Sequence, residues 1–189
     1  SNGTSGNINN VNYAVPRPKK QPYEQMRLVA DQCAQAVHQQ YKNLVWHDWV
    51  PLRMRQQELE LSVREPTPAQ LEHAKQVLAE PSRRDKFPHE RKYAEKALQQ
   101  LQSPNTVRVI LQALRIGDLG ISAIPFEVFS DTGLELKARN PFKPSFTIEL
   151  ANGGYGYLPT PEQHKLGGYE TWLGTSKVEV QASTKIVNA

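Results

Sequence analysis

At 189 residues and 21.4 kDa, the chain is long enough for one domain with a real core and too short for two comfortable ones. A hydrophobic share of 38% and a mean hydropathy of -0.62 imply a modest core under a largely polar surface, and no apolar run approaches the roughly eighteen residues of a membrane span. The net charge of +4 would suit an anionic surface, but its basic residues alternate with acids, as in Glu90-Arg91-Lys92, and the absence of an aromatic-interleaved basic stripe argues against nucleic acid.

The first thirteen residues are rich in Gly, Ser, Asn and Thr and read as a loop. With no starting methionine, the chain is expected to be a fragment or a processed protein. From Tyr23 to about Val45, Met26, Val29, Ala30, Cys33, Ala34, Val37 and Tyr41 recur at three- and four-residue steps, which predicts an amphipathic helix. The single Cys33 excludes an internal disulfide and a cysteine-rich zinc knuckle. Trp46-His47-Asp48-Trp49 is read as a helix-to-strand turn with buried tryptophans, in preference to a base and its orienting acid.

Residues 52–63 alternate with a change of phase between Gln56 and Leu59, which suggests a bulge or two short strands. Thr67-Pro68-Ala69-Gln70 caps a helix carrying Leu71, Ala74, Val77 and Leu78, stopped by Pro81. A second helix is expected from about Pro88 to Gln102, with its Lys, Glu and Gln face in solvent. Together, residues 65–104 read as a polar helical pair, an insert or lid beside a sheet.

Thr106 to Ile116 has the β-branched density of a strand. After a turn at Gly117 to Gly120, Ile121 to Ile124 forms a buried strand delivering Pro125-Phe126-Glu127 at its end. Asp131-Thr132-Gly133 leads into a helix to Arg139, and Phe146 to Ala151 is a strand. That strand enters a glycine-rich turn presenting Tyr155 and Tyr157, and Thr160-Pro161-Glu162 opens a helix. The glycines and tyrosines either close a tight turn or present phenols to a ligand. Ser176 to Val187 predicts a final helix with Val178, Ala182 and Ile186 on one face. The fold class is α/β, a mixed sheet flanked by helices.

Ile124-Pro125-Phe126-Glu127-Val128-Phe129 and Ala151-Asn152-Gly153, followed by Tyr157, Thr160-Pro161-Glu162 and Tyr169-Glu170, carry a resemblance. They resemble the carboxy-terminal half of the catalytic domain of neutral/alkaline, non-lysosomal ceramidases. Shorter bacterial ceramidase-like proteins are more similar still. The resemblance implies one partial catalytic domain over 1–189, within a larger one, and a zinc-dependent amidase that splits ceramide into sphingosine and a fatty acid. It puts Glu127 on the zinc-binding glutamate of a Pro-Gly-Glu-Phe motif, with Phe126 in place of the glycine. Tyr157 falls on a zinc-binding tyrosine. Tyr169 falls on a tyrosine that contacts the scissile amide, with Thr171 where the family has glycine.

Gly3-Thr4-Ser5-Gly6-Asn7 resembles a shorter loop motif of the same family, Gly-Asp-Val-Ser-Pro-Asn. This implies a catalytic role for Ser5, as nucleophile or as a substrate-positioning hydroxyl, and substrate binding by Asn7, to which Tyr155 is added as a second candidate. The family's other two zinc ligands are histidines from the amino-terminal half of the domain. None of the five histidines here has a paired metal-binding context, and His164 reads as a surface or pocket-rim residue. The remaining amino-terminal half is therefore an expected partner. A lipid amide met at a membrane or micelle surface is the expected substrate, and the family implies a secreted or periplasmic setting. Two alternatives stay open: a hydrolase of another amide or ester, and a non-catalytic interaction module.

Overall fold

The β-branched run from Thr106 to Ile116 becomes the second strand of a four-stranded mixed sheet. In the computed structural model, which describes residues 1–16, 18–80 and 84–189, the chain divides into two units: residues 1–8 with 52–189, and residues 9–51.

The second unit consists of one helix, α1 (Glu24–Tyr41), with flanking loops. None of its described residues is buried. The apolar stripe is present at the expected spacing, but Met26, Val37 and Tyr41 remain exposed because the unit has no second layer to cover them. Trp46 and Trp49, expected to be buried, are 84% and 78% exposed for the same reason.

In the larger unit, β1 (Leu52–Ser62) pairs antiparallel with β2 (Thr106–Ile116), and β2 pairs antiparallel with β3 (Leu119–Ile124). The β2–β3 hairpin turns at Gly117, whose φ of 61° suits a residue without a Cβ. β3 then pairs in parallel with β5 (Ser145–Glu149), giving the order β1-β2-β3-β5. A parallel neighbour requires a crossover, supplied here by α4 (Ser130–Arg139). This is an α/β fold with a mixed sheet and flanking helices.

β1 contains neither the bulge nor the break expected from its change of phase. Its register runs unbroken from Leu52 opposite Ile116 to Ser62 opposite Thr106. The change of phase reflects burial instead: Leu52 and Met54 stay exposed on a strand end that extends beyond the core, whereas Leu61 at the other end is fully buried.

α2 (Pro68–Ala79) starts with a complete capping box between Thr67 and Gln70. The Pro81 expected to stop it lies outside the described residues. α3 (Glu90–Gln100) packs on α2 through Ala74, Val77, Ala94, Ala97 and Leu173. Its polar face is not wholly solvated. Glu90 is buried against the Lys86 amide and His73, and the Gln100 amide group is buried, donating to the carbonyls of Arg64 and Lys177. Polar side chains are buried here because each has partners.

The main core gathers Leu61, Val109, Ile124, Phe126, Val128, Leu158, Val178, Ala182 and Ile186. The last three do share one environment, but the final helix, α6 (Ala182–Asn188), begins later than expected. Val178 precedes it as an isolated antiparallel bridge partner of Val63, so that sheet-like pairing holds the segment before the helix.

Candidate active site

The site is assembled on two short strands. β4 (Glu127–Val128) leaves the end of β3 and pairs in parallel with β6 (Tyr157–Leu158), placing Glu127 directly beside Tyr157. The turn expected to present Tyr157 is therefore a strand at that residue. The Glu127 amide donates to the Gly156 carbonyl at 2.9 Å, and the Tyr157 amide donates to the Thr175 carbonyl at 2.9 Å. Buried Pro125 and Phe126 anchor the approach to Glu127.

Beyond β6, Thr160 caps α5 (Pro161–Leu166) by accepting from the Gln163 amide, with Pro161 in the first turn. The chain then folds back through a single 3₁₀ turn, Tyr169–Thr171, held by the Thr175 hydroxyl on the Tyr169 carbonyl. This return brings the Tyr169 hydroxyl to 3.1 Å from that of Tyr157, the rings edge to face with centroids 5.6 Å apart. Burial, together with hydrogen bonds to Tyr169 and Glu127 and the Glu127 charge, holds the Tyr157 phenol far above the ordinary tyrosine range. Glu127, Tyr157 and Tyr169 thus form one hydrogen-bonded group.

The amino-terminal loop lies against the backbone of β4. The Gly6 amide donates to the Val128 carbonyl at 2.8 Å, and a Cβ on Gly6 would sit 2.6 Å from the Glu127 carbonyl oxygen. A Cβ on Gly133 of α4 would likewise meet the Thr4 hydroxyl oxygen, at 2.2 Å. Asn7 accepts from the Ser130 amide at 2.8 Å and donates to Asp131, so that its side chain caps α4 from far away in sequence. The Ser5 hydroxyl donates to Glu149 at 2.5 Å. Tyr155 takes a different course from Tyr157: its ring tilts against Phe126 with centroids 5.6 Å apart, and its hydroxyl donates to the Arg108 carbonyl at 3.4 Å.

Glu149 was missed in the sequence. Its signal was an acid on the same strand phase as Ser145 and Thr147, and all three are buried. Arg64 was missed too; it donates to the carbonyls of Thr171 and Ser176 and so braces the turn carrying Tyr169. His164 is half-buried on α5. Burial and the Arg64 charge push its pKa down, favouring the neutral ring near pH 7.

The carboxylate of Glu127 and the phenol of Tyr157 fit as two oxygen donors of a zinc site, being adjacent and already linked. Two donors do not complete one, since hydrolytic zinc takes three or more protein ligands. Among the described residues, no group of three or more His, Cys, Asp or Glu that could hold a metal ion comes together.

No family model matches this chain, and no curated protein does. Two solved structures are similar over part of it: a neutral ceramidase from Pseudomonas aeruginosa and a ceramidase complexed with C2. Each shares 18% identity with a TM-score of 0.38, over 46% of this chain and 14% of the other. The chain thus spans a small part of those proteins' length, and a likeness of this size carries no argument about chemistry.

Proposed function

We propose that this chain contributes one wall of the active site of a zinc-dependent amide hydrolase acting on a lipid amide of the N-acyl-sphingosine class. The observation that carries this reading is the meeting of Glu127, Tyr157 and Tyr169, three residues from separate elements, in one hydrogen-bonded group. A carboxylate beside two partly exposed phenols is a useful arrangement for a reaction that develops negative charge on oxygen.

In this reading, Glu127 and Tyr157 hold the metal together with ligands supplied from the amino-terminal half of a larger domain. Zinc, when bound, supplies an activated water and a polarised carbonyl. Tyr169 is about half exposed and donates a hydrogen bond to the carbonyl oxygen as it becomes an oxyanion. Ser5 is the nucleophile or a substrate-positioning hydroxyl in this reading, on a loop that Asn7 fixes to α4. The substrate is met at a membrane or micelle surface.

The test is zinc content together with fatty-acid release from an N-acyl-sphingosine, on the longest native reading frame containing this chain and on its Glu127→Gln variant. Stoichiometric zinc and activity, both lost in the variant, are expected. A full-length protein that binds no zinc and cleaves nothing would overturn the reading in favour of an interaction module.

A further inference from the structure

Three arginines share one face of the four-stranded sheet. Arg53 on β1 lies directly opposite Arg115 on β2, and Arg55, two residues further along β1, lies opposite Ala113. Side chains two apart on a strand point to the same face, and directly opposed residues have Cβ atoms about 5 Å apart. Like charges in that position destabilise a strand pair. Neither Arg53 nor Arg55 makes an ion pair among the described residues. The carboxylate that faces Arg115, that of Asp118, is 3.9 Å away on a side chain 91% exposed, where water screens it.

The same three arginines line a cavity of about 430 Å³, within the size range of small-molecule sites. Gly120 on β3, opposite Arg115, gives this cavity its wall: a Cβ there would meet the Asn140 side chain at 2.9 Å and the Phe142 Cβ at 3.1 Å. Without one, residues 140–142 press onto the sheet, fixed by the Phe142 amide donating to Asn140 Oδ1 at 2.8 Å. Arg115 stacks on that wall, its guanidinium carbon 4.8 Å from the Phe142 ring centre, while its Nε donates to the Gly117 carbonyl at 2.7 Å. One guanidinium is thus pre-oriented, with both terminal nitrogens left to donate. The Ser122 hydroxyl and Asn140 Nδ2 are further donors on the lining with no hydrogen-bond partner among the described residues. Among those residues, no carboxylate lines the cavity.

We infer that this cavity binds a dianionic phosphoryl group, either free phosphate or the end of a phosphomonoester. Guanidinium groups are planar, permanently charged and donate in pairs to phosphate oxygens. A single carboxylate offers three of them too little charge, whereas a phosphoryl group carries about two negative charges at pH 7 and three acceptor oxygens. Held between Arg53 and Arg115, it replaces their repulsion with attraction to a shared partner. The inference does not depend on the hydrolase reading: Glu127 follows the far end of β3, and neither it nor Tyr157 or Tyr169 lines this cavity.

The test is calorimetric titration of the full-length protein, the longest native reading frame containing this chain, with inorganic phosphate, glycerol phosphate and neutral glycerol at physiological ionic strength. Both phosphates are expected to bind and glycerol is not; the tighter of the two identifies the source. Arg53→Gln and Arg55→Gln, both at exposed positions, are each expected to weaken binding about tenfold, the size of one lost charge-assisted hydrogen bond. Two separate variants keep the test decisive should one disturb the strand. Arg108→Gln removes the same charge elsewhere on β2, where Arg108 pairs with Glu60, and should leave the affinity unchanged. Phosphate held by a metal at Glu127 would bind equally in every variant. That result would overturn the inference, as would no binding of either phosphate, or an equal loss in Arg108→Gln.

Discussion

The hydroxyls of Tyr157 and Tyr169 meet at 3.1 Å although one phenol lies on a β-strand and the other on a 3₁₀ turn, with α5 between them in sequence. Because burial, Tyr169 and Glu127 all favour the neutral phenol, Tyr157 is expected to ionise last among the chain's seven tyrosines. Its folded pKa is raised above the unfolded value of about 10. The stability it contributes is therefore complete below that pH and is lost as pH rises through the folded value. An ultraviolet phenolate titration checks this: Tyr157→Phe should remove the latest component, and Glu127→Gln should move it toward the ordinary range. A late component that persists in Tyr157→Phe belongs to another residue.

Gly156 is required by both conformation and space. Its φ is 90°, and a Cβ there would lie 2.2 Å from the Thr175 carbonyl oxygen, which pairs with the Tyr157 amide. Gly156→Ala is expected to cost roughly 2–4 kcal/mol in denaturant unfolding, from backbone strain plus overpacking. Gly167 has a similar φ of 83° with nothing nearby, so Gly167→Ala should cost only about 1–2 kcal/mol. Equal losses at the two positions would mean that the Thr175 contact is not the cause.

Phe126 stands where the resembling motif has glycine, and it is fully buried in the main core among Ile124, Val128 and Leu158. Phe126→Ala is expected to cost about 3–5 kcal/mol through lost transfer energy and a cavity. The unfolding midpoint should fall far enough to be plain in a thermal melt followed by circular dichroism.

Glu90 and His73 form a polar pair of unequal members, with Nε2 and Oε1 3.1 Å apart and side chains 1% and 48% exposed, respectively. Removing the exposed partner leaves water to take its place, so His73→Ala should cost less than about 1 kcal/mol. Glu90→Ala opens a buried position and frees the Lys86 amide, and about 3 kcal/mol is expected from a buried polar network. Chemical denaturation of the two variants should separate them clearly. Comparable losses would show that the pair itself carries the energy.

Local pattern made much of the larger unit legible in the sequence. Thr67 with Gln70 and Thr160 with Pro161 announced the starts of α2 and α5, and the β-branched run set β2 within its observed bounds. Such features depend on residues a few positions apart, whose backbone preferences act before any tertiary contact forms. Glu127, Tyr157 and Tyr169 were legible as candidates only through motifs that resemble those of a known family; from spacing alone, the glycine-rich stretch carrying Tyr157 could equally have closed a tight turn. Their assembly was not. The pairing of β4 with β6, the return of the chain that joins the two phenols, and the capture of Ser5 by Glu149 all join residues that only the folded chain brings together. Burial was equally hidden where it depended on distant segments: Trp46 and Trp49 are largely exposed and none of the described residues 9–51 is buried, whereas Phe126 is fully buried in a cluster with Leu61, Val109, Leu158 and Ile186 from separate elements. The sequence by itself determined where the capped helices begin and where the β-branched strand β2 runs, because those are properties of short stretches. The tertiary structure decided which residues meet, because hydrogen bonds and apolar contacts between distant segments exist only once the sheet has set their register.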